Sequence, residues 1–215
     1  MNPRISKQHS PIQGLYAITD PLLLSAENLI SAVEQAILGG ARVIQYRNKL
    51  ASDTQQYEQA LQLSALCKQY QVCFIINDDA QLAKQVAADG VHVGKDDGKI
   101  AEARKHLGEK AIIGVSCYNQ LENAHQAIAQ GADYVAFGRF FPSKTKPDAV
   151  QADLQLLEDA ARQLTVPIVA IGGVTRNNAS QLIYHGTDAI AVINDLFQDN
   201  QTIYNTAKTY QMLFN

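Results

Sequence analysis

Residues 73–94 read CFIINDDAQLAKQVAADGVHVG, and they hold one complete unit of the fold. An apolar run from Cys73 ends in Asn77, Asp78 and Asp79. A stretch with leucine and alanine at helical spacing follows, and a second short run, Gly90 to Gly94, closes the unit. Short runs rich in β-branched and aromatic residues read as strands, and the longer stretch as helix, so the unit is strand, helix, strand. Working outward in both directions, the same alternation recurs. The predicted strands are Gly14–Asp20, Ala41–Arg47, Cys73–Asp78, Gly90–Gly94, Ala111–Cys117, Tyr134–Phe141, Pro167–Gly173 and Ala189–Ile193, eight in all.

The segments between them support helices. Ala26–Leu38 sets Leu29, Ile30, Val33 and Ile37 on one stripe, and Thr54–Tyr70 does the same with Tyr57, Leu61, Ser64 and Leu66. Gly39-Gly40, Gly131 and Gly186 stand where helices end in a left-handed residue. Eight strands with helical crossovers could form an open doubly wound sheet, but the count of eight and the near-continuous apolar strands favour a closed (β/α)8 TIM barrel. A chain of 215 residues suits one such α/β domain. We assign 14–215 to the barrel, with no linker or low-complexity tract between its strand–helix units, and 1–13 to an N-terminal extension.

Composition narrows the function. An apolar fraction of 47% and a charged fraction of 18% are those of an ordinary globular protein. A net charge of −3, with no basic run, argues against nucleic acid as a partner. No stretch approaches the roughly 20 apolar residues of a membrane span, and the N-terminus has no apolar segment of a secretion signal. Cys67, Cys73 and Cys117 show no CxxC spacing, so neither a zinc site nor a disulfide framework is expected, and a cytoplasmic location fits. The sequence does not fix the oligomeric state, and a homo-oligomer is compatible with it.

In a (β/α)8 barrel the working side chains come from strand ends and the loops that follow. Six predicted strands run directly into polar or glycine-rich sequence: Thr19-Asp20, Gln45 to Lys49, Asn77 to Asp79, Gly94 to Asp97, Ser116, and Ser143 to Lys146. Gln45, Arg47 and Lys49 alternate, so on a strand they point together into the barrel mouth, where two cations and an amide suit a diphosphate. An inward Arg satisfied by a neighbouring carboxylate is the competing reading. Asn77-Asp78 and Asp97 fall on adjacent loops, within reach of one magnesium ion completed by phosphate oxygens and water. Asp79 and Asp96 stand beside them; spacing does not decide which aspartates bind and which cap helices.

A second anion site is expected on the far side of the mouth. Gly172-Gly173 closes the seventh strand and Ile193-Asn194 the eighth, where this fold often binds phosphate through bare backbone N–H groups. Ser143, Thr145 and Lys146 could hold an anion or form an ordinary polar loop. Two anion sites imply two phosphorylated substrates. His92, between Val91 and Val93, reads as a hydrogen-bonded histidine of the barrel interior. His106, His125 and His185 fall on or beside helices, and Cys117 has no histidine placed to activate it.

Taken in order, the strings IQYRNK, FIINDD, GVHVGKDD, IIGVSCYN, GADYVAFGRFFPSKTK and VAIGGV resemble those of the thiamine phosphate synthase family, from GLYAITD at Gly14 to AVINDLF ending at Phe197. The resemblance implies a (β/α)8 transferase. It would join 4-amino-2-methyl-5-hydroxymethylpyrimidine diphosphate to 4-methyl-5-(2-hydroxyethyl)thiazole phosphate, with magnesium, releasing pyrophosphate. It further implies that Gln45, Arg47, Lys49, Asn77, Ser116 and Lys146 bind the pyrimidine diphosphate and that Asp78 and Asp97 hold the metal. Ser143, Thr145, Gly173, Ile193 and Asn194 would surround the thiazole phosphate. Arg47, Lys49, Ser116 and Lys146 would act directly in catalysis, with magnesium, Arg47, Lys49 and Lys146 stabilising the departing pyrophosphate so that the C–O bond breaks early and leaves a pyrimidine methylene carbocation.

The chain departs from the family pattern at Lys95, where Gln is usual, at Arg139 for Pro, Ser143 for Thr, Tyr118 for a frequent His, and Asn194 for Ser. Two rivals share the barrel. A TenI-type thiazole tautomerase would lack the second aspartate and carry a His after the fifth strand. A non-catalytic thiazole-phosphate-binding protein would have no need of the Gln45, Arg47 and Lys49 set.

Overall fold

A computed structural model describes residues 10–94, 99–142 and 150–214. Eight parallel strands close into a barrel in sequence order. They are β1 (Gly14–Ile18), β2 (Ala41–Tyr46), β3 (Cys73–Asn77), β4 (Gly90–Val93), β5 (Ile112–Tyr118), β6 (Tyr134–Phe137), β7 (Ile168–Ile171) and β8 (Ala189–Val192). The closure is explicit in the register: β1 pairs on one side with β2, Leu15 opposite Ala41, and on the other with β8, Gly14 opposite Ala189. No edge strand remains to be covered.

The period-two alternation of each strand divides the core in two. Outward residues such as Leu15, Ile44, Phe74, Val91, Ile113 and Val135 pack against the surrounding helices. Inward residues, among them Tyr16, Val43, Ile75, Ile112, Tyr134 and Val169, fill the barrel itself, and Ile12 from the segment before β1 is buried with them. Both faces are covered, which explains why the strands read as nearly unbroken apolar runs. Gly114 of β5 is the place where this packing admits no side chain. A Cβ there would lie 1.9 Å from Cζ of Tyr134, its register neighbour on β6.

The helices are α1 (Leu29–Leu38), α2 (Asp53–Tyr70), α3 (Ala80–Gln85), α4 (Lys99–Leu107), α5 (Leu121–Ala129), α6 (Gln155–Gln163), α7 (Ala179–Tyr184), α8 (Asn194–Phe197) and α9 (Ile203–Met212). None of the described helices is long and apolar enough to cross a membrane. The expected helix from Ala26 begins later, at Leu29, because the preceding residues form a turn in which Leu29 N–H donates to the Ser25 carbonyl. The strand expected to reach Phe141 stops at Phe137. Beyond it Gly138 N–H still donates to the Tyr118 carbonyl, and Phe140 and Phe141 N–H donate to the Ile171 and Gly172 carbonyls at the end of β7, but the Arg139 carbonyl turns away to accept from Ala152 N–H, and the regular ladder ends.

Candidate active site

The C-terminal ends of the strands enclose a cavity of about 450 Å³, a size suited to a small molecule. Its floor and walls come from the barrel interior, with Ile18, Ala136, Val169, Ile171 and Ala191 supplying apolar surface. Polar groups enter from every side. Gln45 and Arg47 come from β2 and its end, Asn77 from β3, His92 from β4, Ser116 from β5, and Gly173, Ile193 and Asn194 from the loops after β7 and β8. Seven of the predicted site residues, Gln45, Arg47, Asn77, Ser116, Gly173, Ile193 and Asn194, therefore meet at one cavity. Asp97, Ser143, Thr145 and Lys146 lie outside the described residues, as do Lys95 and Asp96.

Arg47 and Lys49 arrive differently. Strand β2 ends at Tyr46, so alternation carries Arg47 to the cavity but does not reach Lys49. Thr19 Oγ1 fixes the turn by accepting from Arg47 N–H at 2.9 Å. Among the described residues, no carboxylate pairs with the Arg47 guanidinium and no acceptor takes its N–H groups, so the competing reading of an internally satisfied Arg finds no partner. Lys49 stands at the rim, where its Nζ meets Asp78 Oδ2 at 2.9 Å, with side chains 59% and 44% exposed.

The aspartates separate by role. Asp79 caps α3, accepting from Leu82 N–H at 2.8 Å. Asp78 sits in the left-handed region, at φ 64°, and its Oδ2 accepts from Asn77 Nδ2 at 2.8 Å. Burial pushes its carboxyl pKa up, but the hydrogen bond and charge of Lys49, the Asn77 amide and the more distant charge of Lys99 outweigh this and hold it below the ordinary aspartate value. It remains an ionised, reachable carboxylate. Asp20, counted among the polar strand ends, serves a turn by accepting from Leu22 N–H.

Across the mouth, Gly172 and Gly173 both take positive φ, 98° and 67°, and a Cβ on Gly173 would strike the Pro142 carbonyl oxygen at 2.3 Å. Asn178 braces this loop: its Nδ2 donates to the Gly173 carbonyl and its Oδ1 accepts from Thr175 N–H. Asp195, next to Asn194, ties the loop after β8 to the loop after β7. Its Oδ2 accepts from Arg176 Nε at 3.1 Å and from the Tyr210 hydroxyl at 2.7 Å. Sequence reading passed over both Arg176 and Asp195. Their only signal was adjacency to the predicted phosphate-binding loops.

A buried polar chain also crosses the floor of the cavity. Gln45 Nε2 donates to the Tyr16 hydroxyl at 2.8 Å, Tyr16 and Tyr134 hydroxyls are 2.8 Å apart, and His92 joins Tyr134 to Ser116 through contacts of 2.9 Å at Nδ1 and at Nε2. His92 is thus the interior histidine expected from its strand position. The two tyrosines were missed, though each lies on the inward parity of its strand. Cys117 is buried, and burial lifts its thiol to about 12, which leaves no thiolate for nucleophilic attack.

The thiamine monophosphate synthase family matches residues 15–196. The chain belongs to that family. It is 52% identical over 205 residues to the thiamine-phosphate synthase of Nitrosococcus oceani, covering 95% of this chain and 94% of that one. It is 53% identical, again over 205 residues, to the thiamine-phosphate synthase of Methylobacillus flagellatus, covering 95% and 97%. A solved structure of thiamine phosphate pyrophosphorylase from Pyrococcus furiosus superposes with a TM-score of 0.84 at 33% identity, over 94% of this chain and 95% of that one. The activity that goes with membership at this identity is that of a thiamine-phosphate synthase, a transferase of thiamine biosynthesis.

The departures from the thiamine monophosphate synthase pattern that lie among the described residues all face the cavity. Tyr118 lines it at φ 55°, where the tautomerase rival would carry a His, and Arg139 and Asn194 line it on the side of the β7 and β8 loops.

Proposed function

We propose that the cavity holds the pyrimidine diphosphate and the thiazole phosphate together and joins them with loss of pyrophosphate. What carries the reading is the Arg47 guanidinium, a permanent cation turned into the cavity and, among the described residues, without a carboxylate to satisfy it. Such a fork of donors suits phosphate oxygens. Lys49 stands at the same rim, and Lys146 joins them in the proposal. The cup of Gly173, Ile193 and Asn194, with Ser143 and Thr145, takes the phosphate of the thiazole. The cytoplasmic location stays part of the proposal, consistent with three buried free cysteines.

The chemistry of Asp78 fits magnesium. It offers a hard, ionised oxygen, and that oxygen already accepts a cation in the form of Lys49 Nζ. Asp78 and Asp97 would hold the ion, and Lys49 would bind the diphosphate. Bound magnesium supplies charge neutralisation on the departing pyrophosphate.

The chain's own residues do the rest. Arg47, Lys49 and Lys146 stabilise the pyrophosphate as the bond between its oxygen and the pyrimidine methylene breaks, with the electron pair leaving on that oxygen. The methylene cation left behind is stabilised by the electron-rich aminopyrimidine ring, and the thiazole nitrogen supplies the new bond. Ile18, Ala136, Val169 and Ala191 exclude the water that would compete for that carbon. Gln45, Asn77 and Ser116 orient the pyrimidine, so that the remaining work is alignment.

The test is an assay of thiamine phosphate and pyrophosphate with both substrates and magnesium, run on the native chain and on Asp78→Asn. Product from the first and its loss from the second is the expected result. Binding of thiazole phosphate with no product at any magnesium concentration would overturn the proposal in favour of a tautomerase or a binding protein.

A further inference from the structure

The polar chain beneath the cavity has a direction, and the direction decides what the site offers its substrate. Tyr16 and Tyr134 are fully buried, and burial pushes both phenols above their ordinary range, so each keeps one proton to give. Tyr16 accepts from Gln45 Nε2, which leaves its proton for Tyr134. Tyr134, having accepted, donates to His92 Nδ1. That nitrogen is therefore bare, and the ring proton sits on Nε2, which donates to Ser116 Oγ. The Ser116 hydroxyl proton is then free to turn into the cavity that Ser116 lines. At the other end, Gln45 has committed an N–H to Tyr16 and keeps its carbonyl oxygen.

We propose that Tyr134 and His92 are positioning residues whose hydrogen-bond chain from Gln45 to Ser116 fixes the Ser116 hydroxyl as a donor and the Gln45 side-chain carbonyl as an acceptor toward the bound ring. This rests on the reading of the cavity as an aminopyrimidine site. Such a ring carries an accepting nitrogen and a donating amine, which match a fixed donor and a fixed acceptor. A serine outside the chain could rotate to donate or accept, and would not discriminate. The chain spans β2, β1, β6, β4 and β5, so its sense is a property of the closed barrel rather than of any one loop.

The first test reads the imidazole nitrogens of His92 by 15N NMR on the full chain, with the signal assigned by its absence from His92→Gln. A bare Nδ1 and a protonated Nε2 are expected. A protonated Nδ1 means that the chain runs the other way or that the ring is charged, and either overturns the proposal. The second test is kinetic. Tyr134→Phe removes the hydroxyl that donates to Nδ1 and should lower kcat/KM for the pyrimidine diphosphate about tenfold, with KM for the thiazole phosphate unchanged. Equal damage to both substrates, or none, would mean that Tyr134 merely packs. The NMR result is read on the protein alone, so a native chain that makes no product sinks the functional reading without touching the tautomer.

Discussion

At Asp78 and Lys49, two side chains half open to solvent hold each other at 2.9 Å beside Arg47, which has no such partner among the described residues. An exposed pair of this kind adds little to stability, which leaves its electrostatic effect as the property to test. Replacing Lys49 by Met removes the main opposition to burial, so the Asp78 pKa should rise, and carboxyl-carbon NMR titration reads it directly. The sign of the linkage follows. Stability from the pair is present above the ordinary aspartate pKa of about 3.9 and is lost as the pH falls through the lower folded value; in Lys49→Met that acid-side loss shrinks or inverts. Arg47→Met is expected to lower kcat/KM between about tenfold and a hundredfold by removing charge-assisted hydrogen bonds to phosphate. Arg47 was legible as a site residue because period two carries it inward from Gln45. Lys49 was placed near it for a reason that fails, since the strand ends at Tyr46, and its true position depends on a loop path that no periodicity encodes.

The elements were legible where a local signal fixes them. Ser52 heads α2 with its Oγ accepting from Gln55 N–H while the Gln55 side chain accepts from Ser52 N–H, a reciprocal cap that starts the helix at Asp53, one residue before the predicted start at Thr54. Ser52→Ala should cost about 1 kcal/mol, measured by urea unfolding, with substrate kinetics unchanged because α2 lies outside the barrel. The short α8 was not legible, since four residues carry no periodicity. What holds it is Asp195, whose single carboxylate oxygen accepts from Arg176 and from Tyr210 of α9. Asp195→Ala breaks both ties, and the loops carrying Gly173 and Asn194 lose their common brace. The expected result is weaker thiazole phosphate binding, severalfold in Kd by calorimetry, with pyrimidine diphosphate affinity little changed; equal weakening of both would show that the effect is general unfolding.

For the whole molecule, eight strand-like runs were enough to choose a closed barrel, because a sheet of that count with both faces apolar has no better way to remove its edges. The interior was not legible to the same depth. Strand parity shows that Tyr16, Gln45, His92, Ser116 and Tyr134 all point inward, but which of them touch depends on stagger around the barrel, a quantity fixed only by closure. Gly114 is where closure and chemistry meet. It lies beside Tyr134 in register, and a Cβ at that position would fall 1.9 Å from the ring carbon that bears the hydroxyl. A strand on each side prevents the backbone from moving away, so Gly114→Ala must displace the ring. The expected cost is about 1–3 kcal/mol, or a fall in Tm of roughly 2–10 °C for a chain of this size. Because the displaced ring carries the link between Tyr16 and His92, the same substitution should lower turnover while leaving Asp78 and Arg47 untouched. Placing Gly114→Ala in a Tyr134→Leu background separates the two effects. With the ring gone the alanine has room, so its cost in Tm should largely vanish, while turnover stays low because no hydroxyl remains to join Tyr16 to His92. Recovery of turnover together with Tm would show that the tyrosine matters to the barrel only as volume.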